Sequence, residues 1–175
     1  FLLQYVRALN RADKPSLKVT NEYINTQSDL TTPFNLKFLL EGASEADSRV
    51  FDLMVKNRAL IEKTEQPEAV NKKIEKACAA TVRKAVEFKD KKLLAEAKQK
   101  MKQHYPARAE AFGQESDLKF TAATHDAKGY LKVMKARQKG VGNSAARLHD
   151  LVIEMFRAFP DDPKVLKQAE KWAKT

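Results

Sequence analysis

Apolar side chains recur at intervals of three and four residues along almost the whole chain, the spacing of helices with one buried face. Leu2, Tyr5, Val6 and Leu9 define the first stripe. Asp13-Lys14-Pro15 interrupts it, and a second stripe carries Leu17, Tyr23 and Ile24. The polar run from Ser28 to Thr32 reads as a loop. Thr32-Pro33 then supplies an N-cap and a proline at the first helical position, and Glu41-Gly42 supplies a stop. Between them Phe34, Leu36, Phe38, Leu39 and Leu40 point in nearly every direction, which predicts a helix buried on most sides.

Asp47 or Ser48 caps the next helix, with Phe51, Met54, Val55 and Ile61 facing inward. Gln66-Pro67-Glu68 opens a long one whose inner side carries Val70, Ile74, Ala77, Thr81, Ala85 and Phe88. Asp90 restarts the chain into Leu94, Ala97, Met101 and Tyr105, a stripe ended by Pro106. A weaker helix covers Ala107 to Phe112, and 113–124 shows no clear period, with Leu118 and Phe120 as anchors. Asp126 caps Ala127, Tyr130, Leu131 and Met134, and Lys139-Gly140-Val141-Gly142 reads as a turn. Asn143 or Ser144 then caps the cleanest stripe, Leu148, Leu151, Val152, Met155 and Phe159. Pro160-Asp161-Asp162-Pro163 turns into the last helix, with Val165, Leu166, Ala169 and Trp172.

No stretch alternates in the manner of a half-buried strand. The expected fold is therefore all-α, with about ten helices as stacked antiparallel hairpins, an α-solenoid of tetratricopeptide-like character. It is read as a single helical-array domain over 1–175, with 1–105 and 106–175 as possible sub-units. The stretch from Leu148 to Trp172 has the flavour of a tetratricopeptide junction, although no second copy aligns upstream. A helical pattern is already under way at Phe1-Leu2-Leu3 and another is unfinished at Thr175. The chain thus reads as a segment of a longer protein, with those three apolar residues exposed at its edge.

Composition narrows the class. The apolar fraction of 43% and charged fraction of 32% fit a folded helical protein rather than a disordered one. No run approaches the length of a membrane span, and the single Cys78 excludes an internal disulfide and a Cys-x-x-Cys motif. The net charge of +10 is spread unevenly: 8 basic and 7 acidic residues in 1–60, 12 and 7 in 61–105, 13 and 9 in 106–175. Acidic residues interrupt the excess everywhere, which suits a solvated basic surface better than a nucleic-acid stripe. The densest basic surface is Lys72, Lys73, Lys76, Arg83 and Lys84, continued by Lys91, Lys98 and Lys102. It is the candidate dock for an acidic partner or a phosphate backbone. No aromatic residue interleaves with it, which argues against stacking on single strands.

Candidate chemistry is sparse. Cys78 falls on an apolar helix face, where a thiol is neutral and unreactive. His104, His125 and His149 lack the spacing of a zinc helix. The Lys139-Gly140-Val141-Gly142-Asn143-Ser144 run lacks the order of a P-loop and follows no strand. Asp47, Asp52, Asp150 and Glu154 have no implied histidine partner, and Asp150, Glu154 and Arg157 read as one exposed helix face. The expectation is no enzyme within this chain and no cofactor or metal.

Asn21-Glu22-Tyr23, Leu39-Leu40-Glu41-Gly42, Asp47-Ser48-x-x-Phe51-Asp52-Leu53 and Asn57-Arg58 resemble the helical region that follows the thioredoxin domain in thioredoxin-family proteins of Bacteroidetes-type bacteria. The closing Asp162-Pro163 … Ala169-Glu170-Lys171-Trp172-Ala173 is similar to the tetratricopeptide-like end of that region. The resemblance implies an accessory module, in an extracytoplasmic setting, for a redox fold absent from this chain. The function expected is thus a non-catalytic protein-interaction or scaffold module acting on a protein partner or client. A basic nucleic-acid or polyanion binder and a structural oligomerisation spacer are the alternatives.

Overall fold

A computed structural model of the chain describes residues 1–142 and 144–174, the side chain of Val141 excepted. Among the described residues the chain forms 11 helices and no strand, so the fold is all-α. It divides into two compact units, Phe1–Glu110 and Ala111–Thr175. The first unit holds α1 (Leu2–Arg11), α2 (Leu17–Asn25), α3 (Pro33–Gly42), α4 (Arg49–Lys56), the single turn α5 (Arg58–Ile61), α6 (Pro67–Glu87) and α7 (Lys91–His104). The boundary falls inside α8 (Pro106–Ala123), and the second unit continues with α9 (Ala127–Val141), α10 (Ala145–Ala158) and α11 (Pro163–Ala173). No helix among the described residues is long and apolar enough to cross a membrane.

The central helix of the first unit is the one whose apolar residues point all round. α3 packs against α1, α2, α4, α5 and α6, burying Leu36, Phe38, Leu39 and Leu40 and leaving Phe34 half exposed. Its start is fixed locally: the Thr32 hydroxyl accepts the Asn35 N–H at 3.3 Å, and Pro33 lacks an N–H to leave unpaired. Its end is fixed by packing, because a Cβ on Gly42 would stand 2.2 Å from Thr20 Cγ2 on α2. α6 and α7 form the most extensive helix pair, with Ile74, Ala77, Cys78, Ala85, Leu94, Ala97 and Met101 all buried.

Three helices close through a left-handed residue other than glycine. After α1, α6 and α8 the residues Asp13, Lys89 and His125 take positive φ of 51°, 52° and 55°. In each case the next N–H reaches back to a carbonyl of the last turn: Lys14 to Leu9 at 2.9 Å, Asp90 to Ala85 at 2.8 Å and Asp126 to Thr121 at 2.8 Å. This is the paired closure that normally recruits glycine. At two of these junctions the following residue, Asp90 or Asp126, immediately caps the next helix through its side chain.

Several expectations are corrected. Phe88 is 67% exposed rather than inward, because α6 stops at Glu87 and the chain turns at Lys89. Tyr5 also faces outward, whereas Leu3 is buried and only Phe1 is fully exposed at the edge. The stretch 113–124 is no loop; it continues one helix, α8, through Ala123. Its hydroxyls turn back on its own carbonyls, Ser116 to Phe112 at 2.6 Å and Thr121 to Asp117 at 2.7 Å, so polar residues occupy the helix without needing outside partners. α9 likewise runs through Lys139 and Gly140 to Val141, and the turn begins only at Gly142, with φ 66°. The suggested cap Asn143 lies outside the described residues; Ser144 precedes α10 without a side-chain capping bond.

In the second unit α9, α10 and α11 share one core with Leu118 of α8. Met134, Met155, Val165 and Ala169 are fully enclosed there, with Trp172 at the margin and the Tyr130 and Phe159 rings 4.9 Å apart.

Candidate functional site

The basic surface expected on α6 and α7 is divided by its own carboxylates. Lys84 on α6 binds Glu45 at 2.5 Å and Asp47 at 2.7 Å. Burial alone would lower its pKa, but the two carboxylates outweigh that and hold it above the ordinary lysine value. Lys73 donates to the Glu41 carbonyl at 3.0 Å, and burial pushes its pKa down. Arg83 stands 3.6 Å from Asp13. Lys72, Lys76, Lys91 and Lys102 face solvent, while Lys98 is half-buried and engaged. A groove of about 600 Å³ lies between the α1–α2 turn and α6, and there Lys14, Lys76 and Arg83 alternate with Asp13, Glu45 and Glu87. Lys73 and Lys84 line it as well, so five cations face three carboxylates and the groove is mildly basic.

The remaining candidates hold the fold. Cys78 is fully buried, and that burial pushes its thiol up to about 12. His104 lies edge-on to Phe51, its pKa lowered first by burial and then by Lys100 and Arg58. Asp52 pairs with Lys100, whose ammonium sits 5.5 Å over the Phe51 ring. Among the described residues no three His, Cys, Asp or Glu side chains converge on a metal-sized site. Every buried side-chain nitrogen and oxygen described has a hydrogen-bond partner.

Two surfaces of the second unit are different. The first is an open groove of about 970 Å³ between α8 and α10. Leu118, Ala122, Ile153 and Ala158 give it apolar walls, while Arg157, His149 and Asp150 stand at the edge. Ile153 is 36% exposed there, and Arg137 of α9 bonds Glu154 at 2.7 Å along its side. Asp150, Glu154 and Arg157 do share one outward face, as their spacing predicts, and that face lines the groove.

The second is a cleft of about 610 Å³ between α9 and α11. Sequence reasoning did not single it out. α9 carries Lys128, Lys132, Lys135 and Lys139, and α11 carries Lys164, Lys167 and Lys171, with Lys174 just past its end, all exposed. Steps of three and four residues put each set on one helix face. Of the α9 lysines Lys135 lines the cleft, together with Leu131, Lys164, Lys167, Lys171 and Lys174, and Glu170 is the acidic member. The signal was present as spacing, but its meaning depends on α9 and α11 lying side by side.

The chain matches no protein-family model, no curated protein and no solved structure.

The residues that carry the thioredoxin-region resemblance act here as fasteners of the first unit. Tyr23 donates its hydroxyl to Asn35 at 2.7 Å and lies 4.1 Å from the Phe38 ring. Asp47 receives Thr81 and Lys84. Arg58 donates to Glu62 at 2.6 Å, to Asn71 at 3.0 Å and to the His104 carbonyl at 2.7 Å, joining α5, α6 and the end of α7.

Proposed function

We propose that this chain is a non-catalytic helical protein-interaction module. The observation that carries the reading is the α8–α10 groove, where apolar walls meet a charged edge. That combination of an apolar centre and a polar rim is how protein interfaces are built. A groove between two helices accepts the apolar face of a third, read by side chains at helical spacing. Ile153 is the exposed apolar anchor on the α10 side. Selection from a displayed library of helical peptides tests it. Amphipathic peptides should be enriched on the native chain and lost on Ile153→Asp. Equal recovery on both proteins would remove the groove as the binding surface.

The resemblance at Tyr23, Gly42, Asp47 and Arg58 supports a narrower proposal. In it the module serves a thioredoxin fold on the same polypeptide, in an extracytoplasmic compartment. The reading frame on either side of Phe1 and Thr175 decides this. A thioredoxin fold with Cys-x-x-Cys upstream is the expected finding, and a frame without one ends the proposal.

A further inference from the structure

We infer that the cleft between α9 and α11 docks an acidic segment of a protein partner, its carboxylates held between Lys135 on one side and Lys164 and Lys167 on the other. The α8–α10 groove plays no part in this, so the two surfaces stand or fall separately.

The contrast with α6 carries the argument. There the folded chain neutralises part of its cationic face, Lys84 with Glu45 and Asp47 and Arg83 with Asp13, and leaves Lys72 and Lys76 in solvent. Along α9 the opposite holds. Lys128, Lys132, Lys135 and Lys139 have no ion-pair partner among the described residues. Like charges at such spacing repel and weaken a helix. Each set contains three successive pairs of this kind; at α11 Glu170 holds Lys174 at 2.5 Å and Lys171 is engaged, so Lys164 and Lys167 are the ones without an ion-pair partner among the described residues. A positive, concave surface of this sort focuses its field on an anionic ligand.

The shape selects among anions. Two helices packed side by side leave a furrow along their seam, the shape into which one polypeptide segment lays its side chains. A single strand stacks on exposed aromatic rings, yet Trp172 and Tyr130 are buried in the core and the exposed Phe156 of α10 does not line the cleft. A bilayer is flat and would leave the cleft unfilled. Leu131 and the aliphatic stems of the lysines offer a polypeptide apolar contact beneath the charges.

The test is fluorescence anisotropy on the whole chain. The probes are a labelled helical peptide with glutamate at every third and fourth position, a random-sequence DNA duplex, and phosphatidylserine vesicles. The peptide should bind most tightly. The triple variant Lys135→Gln/Lys164→Gln/Lys167→Gln should weaken it about tenfold or more. The control Lys72→Gln/Lys76→Gln/Lys91→Gln should change affinity less than about twofold. Equal loss in both variants, no peptide binding, or tighter binding of duplex or vesicles would each overturn the proposal. Carbodiimide coupling of the peptide to the unmodified protein gives a second readout. Amide links should form at Lys135, Lys164 and Lys167, and links confined to the α6 lysines would overturn it as well.

Discussion

The buried Thr81 hydroxyl donates to the Asp47 carboxylate at 2.8 Å, and the same oxygen accepts the Ala46 N–H at 2.8 Å. One side chain on α6 thus anchors the segment between α3 and α4, 34 and 35 residues away. Ala46 is fully buried, and its other acceptor, the Ala77 carbonyl, lies at 3.3 Å.

Replacing the hydroxyl by a methyl group keeps the volume and removes both bonds. Thr81→Val should therefore cost about 1–3 kcal/mol, the range for stranding a buried donor. Thr81→Ser, which keeps the oxygen, should cost less. Urea midpoints followed by far-ultraviolet circular dichroism measure both; an unchanged midpoint for Thr81→Val would mean the segment is held by packing alone.

The same cluster makes stability depend on pH. Burial pushes the Asp47 carboxyl up, but hydrogen bonds from Lys84 and Thr81 outweigh it and hold the group below its ordinary 3.8. A lowered carboxylate contributes stability that is fully present above the ordinary value and is lost as pH falls through its own lower value. The stability gap between the native chain and Asp47→Asn should therefore be constant at neutral pH and shrink below about pH 4. Lys84 gives the opposite sign: its contribution is present below its ordinary 10.5 and is lost as pH rises through its higher folded value. Denaturation at a series of pH values reads both limbs, and an acid-side gap that does not shrink would contradict the pairing.

These links also show what was legible beforehand. The caps at Thr32, Ser48 and Asp126 need only their next few residues, and each accepts an N–H group of its helix's first turn. The all-round apolar helix was equally plain. Lys73 and Lys84 were misleading because their partners, Glu41, Glu45 and Asp47, lie 32 to 39 residues away. A helix face reads as cationic until the fold supplies its carboxylates. Only the first part of α8 was legible, because its apolar residues scatter around the helix with no dominant face. The α9 and α11 lysines had clear spacing, but only the tertiary fold brings Lys135 beside those of α11.

Cys78 offers a simple probe of the core. With the thiol fully buried and its pKa pushed to about 12, almost no thiolate exists at neutral pH and none is accessible. An aromatic disulfide reagent at pH 8 should label the native chain only through unfolding, and the denatured chain at once. Prompt labelling of native protein would show that α6 and α7 open far more readily than their packing implies.

Gly42 marks where α3 closes on α2. A methyl group there would stand 2.2 Å from Thr20 Cγ2 and 2.8 Å from its hydroxyl oxygen, with Thr20 itself fully buried. Gly42→Ala should cost about 1–3 kcal/mol through overpacking. Thr20→Ala in the same chain removes the obstructing atoms, so the double variant should lose less than the sum of the single changes. Strict additivity in a double-mutant cycle would place the strain elsewhere.

The turn between α6 and α7 tests the opposite kind of glycine effect. Lys89 holds φ at 52°, a conformation that costs an L-residue about 1–2 kcal/mol. Its neighbours are already committed to the turn: Lys89 N–H reaches the Val86 carbonyl at 3.3 Å and Asp90 N–H the Ala85 carbonyl at 2.8 Å. The exposed Lys89 side chain leaves room for its own removal. Glycine adopts this φ freely but is more flexible when unfolded, so the two effects partly cancel. Lys89→Gly should still stabilise the chain, by about 0.5–1 kcal/mol. Lys89→Ala, which keeps the Cβ, should gain nothing, and the difference between the two isolates the backbone contribution from the loss of a surface charge. A Lys89→Gly chain no more stable than Lys89→Ala would mean that the turn relaxes away from positive φ in solution.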